Sequence, residues 1–159
     1  MEVDGNLLAE YEKLLRTTNL IAGYQEFIRL FRSLRIALEN SMPAYKFQGN
    51  IAENALDYSY FLLTNEKLKE KGLKIAVVFV HQAFRFEVWL SGYNRKYQCG
   101  YYALLKDRKI PFALTDDPER RDYILRLPVE EALLLSRGEL QPEKIKKAVE
   151  ELGSFGENL

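Results

Sequence analysis

The sequence predicts an α+β domain, and three observations carry that prediction. Apolar residues recur at helical spacing before residue 40, the period shortens to two from residue 45 onward, and all five prolines fall at the boundaries these patterns define. The chain has 159 residues, 47% of them hydrophobic and 13% aromatic, with 23 basic and 23 acidic side chains. A domain of that length buries about two-thirds of the surface its unfolded chain would expose and needs no disulfide or metal staple. No composition shift, repeat or low-complexity linker divides it, so residues 1–159 read as one domain.

Leu7, Leu8, Tyr11, Leu14 and Leu15 lie on one side of a helical wheel and Glu10, Glu12, Lys13 and Arg16 on the rest, which predicts an amphipathic helix capped by Asp4 or Asn6. Thr17, Thr18 and Asn19 interrupt it. A longer helix follows over about 20–40, with Leu20, Tyr24, Phe27, Ile28, Phe31, Leu34 and Leu38 at helical spacing, and it ends because Pro43 disfavours helical backbone at Met42. Residues 45–49 and 57–63 read as a strand pair. Asn65 caps a short helix that Gly72 closes from the left-handed region.

The clearest strand is 75–80, apolar on both alternating faces and therefore expected at the centre of the sheet with cover on both sides. In 84–90, Phe84, Phe86, Val88 and Leu90 share one face while Arg85, Glu87 and Trp89 share the other. A loop of two or four residues between these strands would put Arg85, Glu87 and Trp89 on the face of Val80, Val78 and Ala76; a loop of three would reverse this. Asn94 caps the next helix, and 110–114 with 123–127 form a second hairpin across a turn at Thr115, Asp116, Asp117 and Pro118. Pro128 and Pro142 each stand at the start of an expected short closing helix, 129–136 and 145–152, ended by Gly138 and Gly153. The expected architecture is a mainly antiparallel sheet of about four to six strands with two N-terminal and two short C-terminal helices.

Composition removes several function classes. A zero net charge argues against a nucleic-acid binder, whose footprint is a basic excess. No apolar run approaches the ~20 residues of a membrane helix, and Asp4, Glu10 and Glu12 interrupt the stretch where a secretory signal would be apolar, so a cytoplasmic protein is expected. Cys99 has no disulfide partner, and one cysteine with one histidine leaves no zinc cluster. No phosphate-binding glycine loop, dinucleotide fingerprint, nucleophile elbow or paired metal motif is present, so neither cofactor nor metal is expected.

The candidate binding residues gather around one sheet face. Arg85, Glu87 and Trp89 place a guanidinium, a carboxylate and the only tryptophan together, and Asn94 and Arg95 follow at a helix start where an anion would meet unpaired amides. Tyr58 and Tyr60 alternate onto one face of a neighbouring strand and supply an aromatic floor if that face is the one carrying Trp89. The competing structural reading pairs Arg85 with Glu87 and packs Trp89 under a helix. His81, the only histidine, lacks a partner visible in sequence, and Glu87 does not share its face under even-loop register.

The segments Met42-Pro43-Ala44-Tyr45-Lys46, Leu73 to Phe79, and Phe84 to Leu90 with Asn94-Arg95 resemble a prokaryotic domain family of unknown function over roughly 40–106. The resemblance implies an α+β domain and supplies no activity. Residues 42–46 alone also resemble small bacterial domains described as frataxin-like iron chaperones, but the chain lacks an acidic ridge, so no iron role is carried over.

The first-ranked functional expectation is a small soluble module that binds a small anionic ligand with Tyr58, Tyr60, Arg85, Glu87, Trp89, Asn94 and Arg95. The alternative is a homodimeric or partner-binding module without catalytic activity, using the same aromatic surface as its interface. An enzyme with His81 or Glu87 as general base ranks third.

Overall fold

The computed structural model describes residues 1–159. Two helices open the chain, α1 (Gly5–Thr17) and α2 (Leu20–Ser41). Strands β1 (Lys46–Ala52) and β2 (Tyr58–Thr64) follow, then α3 (Glu66–Glu70), β3 (Leu73–Val80), β4 (Arg85–Gly92) and α4 (Arg95–Leu105). The remainder is β5 (Ala113–Leu114), β6 (Leu125–Val129), β7 (Leu133–Leu134), β8 (Glu139–Leu140) and α5 (Pro142–Glu157). Six strands form one antiparallel sheet in the order β1-β2-β3-β4-β6-β5, and β7 with β8 makes a separate two-stranded ribbon. The fold class is the α+β arrangement that the periodicities predict. No helix is long and apolar enough to cross a membrane.

One face of the sheet carries the core. Phe61, Leu63, Ile75, Val77, Phe79, Phe86, Val88 and Leu90 point to it and meet Phe31, Leu34 and Leu38 from α2 and Ile145, Val149 and Leu152 from α5. Phe31 lies 5.0 Å from Phe61 and 5.9 Å from Phe86, centroid to centroid, so α2 crosses β2 and β4 on aromatic contacts. Complete burial of such a side chain stabilises the fold by roughly 1.5–3 kcal/mol. Helix α5 continues through Gly153 and Gly156, and the missing side chains let it approach Tyr45 and Ile75 at the first and Leu68 and Leu90 at the second. A Cβ at Gly153 would stand 2.2 Å from the Tyr45 hydroxyl, and one at Gly156 would stand 2.8 Å from Leu68.

Two details differ from the sequence expectation. Residues 129–136 form no α-helix: Pro128 lies inside β6, opposite Glu87, and the following residues make the β7–β8 ribbon around one 3₁₀ turn, Leu135–Arg137. A proline suits both a helix start and a short strand that needs no N–H from it, and here the strand pairing of Leu127 and Val129 with β4 prevails. Only α5 therefore closes the chain as an α-helix. The other difference is that α5 runs on through Gly153, its expected end, to Glu157; the cover on the second side of β3 is as expected, with Ala76 and Val78 buried by aromatic side chains of the neighbouring strands.

The β3–β4 hairpin loop is four residues long, His81–Phe84, with Phe84 in the left-handed region at φ 51° and its N–H donating to the His81 carbonyl across 3.1 Å. Val80 accordingly faces Arg85, Val78 faces Glu87 and Ala76 faces Trp89. Tyr58 and Tyr60 pair with Val80 and Val78 from the other side. Tyr58, Tyr60, Arg85, Glu87 and Trp89 thus occupy one sheet face, opposite the helices.

Candidate functional site

Across the open face, β3 contributes the small residues and its neighbours the large ones, so the surface is a trough with Ala76 and Val78 at its base. Tyr58 and Tyr60 rise on one side and Trp89 on the other; the Tyr58 ring leans to within 5.1 Å of the Trp89 centroid, and Tyr123 closes on the indole from beyond at 5.0 Å. Glu87, only 1% exposed, fixes the indole: Trp89 Nε1 donates to Glu87 Oε1 across 3.0 Å, and Arg85 Nε donates to Glu87 Oε2 across 3.0 Å. Both carboxylate oxygens are therefore occupied, as burial of a charge requires.

The segment before β6 encloses the trough. Arg95 Nη2 donates to Asp122 Oδ1 across 2.9 Å, and Nη1 donates to the carbonyls of Pro118 and Arg121. Gln98 Nε2 donates to the Arg121 carbonyl across 2.6 Å while its Oε1 accepts from the Gly92 N–H across 3.1 Å. Ser91 Oγ donates to the Asp122 carbonyl across 2.6 Å. Asp122, held in this way, accepts the Tyr58 hydroxyl, and the bridge spans the sheet above Trp89. Burial first, then the hydrogen bond and charge of Asp122, push the Tyr58 phenol well above its ordinary value, so it stays a donor at any physiological pH.

On one side of the bridge lies a cavity of about 450 Å³ lined by Tyr58, Tyr60, Leu62, Ala76, Trp89, Tyr93 and Lys74, with Asn94, Arg95 and Gln98 at its rim. That size suits a small organic molecule. Beyond the bridge a second recess of about 730 Å³ sets Arg85, Arg120, Arg121 and Arg126 among Asp57, Glu87, Asp116 and Asp122. Tyr58, Trp89 and Asp122 line both spaces.

The structure thus brings all seven sequence-predicted residues to one region but assigns them different parts. Tyr58, Tyr60 and Trp89 are wall and floor. Glu87 and Arg85 pair beneath them, which is also the structural reading of those two residues, and Trp89 packs under tyrosines instead of a helix. Arg95 is spent on Asp122 and the backbone, and the Asn94 side chain caps α4 by accepting from the Tyr97 N–H across 3.0 Å. The cation left without an acidic partner in the first cavity is Lys74, whose Nζ lies 5.8 Å from the Tyr93 ring centroid. Sequence reasoning passed over Lys74, although its parity with Ala76 and Val78 places it on this face. Asp122 had no local signal, because its role comes from a loop crossing to residues 27 and 64 positions away.

His81 sits apart from Glu87, on the helix side, where its Nε2 lies 2.8 Å from Ser59 Oγ and its ring 4.9 Å from Phe27. Beside it Tyr24 donates to Glu53 Oε1 across 2.7 Å, and burial together with that carboxylate pushes the phenol up to about 12. Ser59 is completely buried, so its contact with His81 joins β2 to the end of β3 and presents no nucleophile to solvent, while the Phe27 ring brings α2 against the imidazole. No group of three or more His, Cys, Asp or Glu side chains stands close enough to hold a metal ion.

No curated protein and no solved structure matches the chain, and the resemblance of residues 42–46 to frataxin-like iron chaperones finds no support. The family match covers far more than residues 40–106. A family model described as Domain of unknown function (DUF7000) matches residues 5–155, and the chain belongs to that family.

Proposed function

We propose that this protein binds a small planar molecule bearing an anionic group, and that the cavity between Tyr60, Trp89 and Tyr93 is the binding site. The carrying observation is Lys74: a half-buried lysine whose ammonium has no acidic partner, standing in a cavity of about 450 Å³ walled by Tyr58, Tyr60, Trp89 and Tyr93, with Ser91, Gln98 and the Arg95–Asp122 pair among its polar groups. Aromatic faces favour flat rings, and a cation beside them fixes the orientation of a carboxylate or phosphate. The remaining polar groups at the rim are already bonded, Arg95 to the Asp122 carboxylate, Ser91 to the Asp122 carbonyl and Gln98 to the Arg121 carbonyl and the Gly92 N–H, so the walls are set before a ligand arrives and little ordering opposes binding.

A recess favours this reading over use of the same surface as a contact between copies. Trp89 is only 8% exposed and lies beneath its neighbours, whereas interface aromatics project to fill pockets in a partner. The test uses Trp89, the sole tryptophan, as its own reporter. Titration with planar aromatic carboxylates and with nucleoside monophosphates should change its emission saturably and raise the melting temperature for at least one class. Saturable binding that persists unchanged in Lys74→Glu would overturn the assignment of the anion to this cavity.

A further inference from the structure

We infer that the recess beyond the Tyr58–Asp122 bridge is a second binding site, which takes the dianionic phosphoryl group of a phosphate monoester on Arg126. Arg126 lies opposite Trp89 in the pairing of β6 with β4, so its side chain stands on the open sheet face. It is half-buried, yet its guanidinium takes part in no ion pair and donates no hydrogen bond. What holds it is the Tyr123 ring, whose centroid lies 5.7 Å from Arg126 Cζ, an attraction that leaves the N–H donors unspent. Tyr123 in turn rests on Trp89 at 5.0 Å, so the cation is positioned by the same aromatic stack that walls the first cavity.

The carboxylates beside it are already committed. Glu87 accepts from Arg85 and the Trp89 indole, Asp122 from Arg95 and the Tyr58 hydroxyl, and Asp116 from Arg121 Nε across 3.1 Å. The Asp116 carboxyl is held below its usual range chiefly by that bond to Arg121, with the charge of Arg126 a smaller contributor. Asp57 is exposed at the start of β2, with β3 and β4 between it and β6. The charge left over around Arg126 is therefore positive. Arg121 has committed only its Nε, and Arg120 is paired loosely with Asp117 at 3.7 Å, so an anion beside Arg126 meets further guanidinium donors along the same wall. Guanidinium forks match phosphate oxygens in pairs, and a dianion gains more from several of them than a carboxylate does. The recess, about 730 Å³, is large enough for a small organic molecule, and Val80, Ala83, Ala113 and Leu114 give the alkyl part of an ester an apolar wall.

The experiment is calorimetric titration of the full chain with glycerol 3-phosphate, an aliphatic monoester without the flat ring proposed for the Lys74 cavity. The wild type should give saturable heat and bind acetate about tenfold more weakly or worse. Arg126→Gln should weaken glycerol 3-phosphate by about tenfold or more, and Arg126→Lys by less, because lysine keeps the charge and loses the fork. Both variants should keep the wild-type circular dichroism spectrum, since Arg126 makes no ion pair. Lys74→Glu should leave this affinity within about twofold at physiological salt, where charges in separate cavities are screened from each other. A wild type that gives no saturable heat overturns the inference. So does equal affinity in the wild type and Arg126→Gln, and acetate bound as tightly as the ester overturns the assignment to phosphate. The planar-ligand reading is tested with aromatic carboxylates on Trp89 emission and Lys74→Glu, so either proposal fails without the other.

Discussion

Glu87 and Trp89, two residues apart on β4, are joined side chain to side chain: the indole N–H donates to a carboxylate that is almost wholly buried and also paired with Arg85. The sheet face therefore carries a carboxylate whose task is to fix the orientation of a large ring. Loss of Arg85 leaves that charge with one neutral donor. Arg85→Ala is expected to cost about 2 kcal/mol in urea unfolding, below the full penalty of a buried pair because Arg85 is 34% exposed. Glu87→Gln keeps an acceptor for the indole and should cost less. Equal losses in the two variants would contradict this division of roles.

Lys74→Glu separates binding from folding. Its ammonium makes no ion pair, so the substitution should change stability by no more than about 0.5 kcal/mol. Affinity for an anionic aromatic should fall at least tenfold, measured by Trp89 emission and confirmed by calorimetry.

Gly92 stands where β4 meets α4. A Cβ there would lie 2.5 Å from the Gln98 backbone nitrogen, and backbone does not rotate out of the way. Gly92→Ala should cost about 1–3 kcal/mol and shift the first turn of α4, loosening the Gln98 contact to the segment before β6. A shifted Trp89 emission maximum without ligand would report that displacement, and an unchanged melting temperature would refute it.

Burial holds His81 below its ordinary value of 6.5, against the opposing pull of Asp57. With the folded value depressed, the unfolded chain takes up this proton first as the pH falls. The contribution is complete above about pH 6.5 and is lost on acidification through the folded value. The urea midpoint should therefore decline below that pH, and His81→Gln, which can still bond Ser59, should flatten that part of the profile. An identical decline in both proteins would assign the effect to other groups.

Much of this arrangement was legible because the sheet repeats every two residues. Arg85, Glu87 and Trp89 had to share a face, as did Tyr58 and Tyr60; the four-residue loop ending at Phe84 decided which face, and that length rests on a non-glycine residue adopting positive φ. What local pattern does not encode is where a charged side chain finds its partner. Arg95 and Asn94 looked like anion ligands from their place at a helix start, yet Arg95 reaches carbonyls at 118 and 121 and Asn94 turns back to cap its own helix. The Pro128 misreading has the same origin, since strand β6 is defined by its pairing with β4 on one side and β5 on the other. His81 and Ser59 meet across 22 residues for the same reason.

The central claim is that the Trp89 cavity holds a small molecule, and native mass spectrometry of the protein as isolated from cells tests it most directly. The account predicts a mass above that of the bare chain, lost on denaturation and absent from Lys74→Glu isolated in parallel. Bare protein from cells, combined with Trp89 emission that no planar aromatic acid alters, would contradict it.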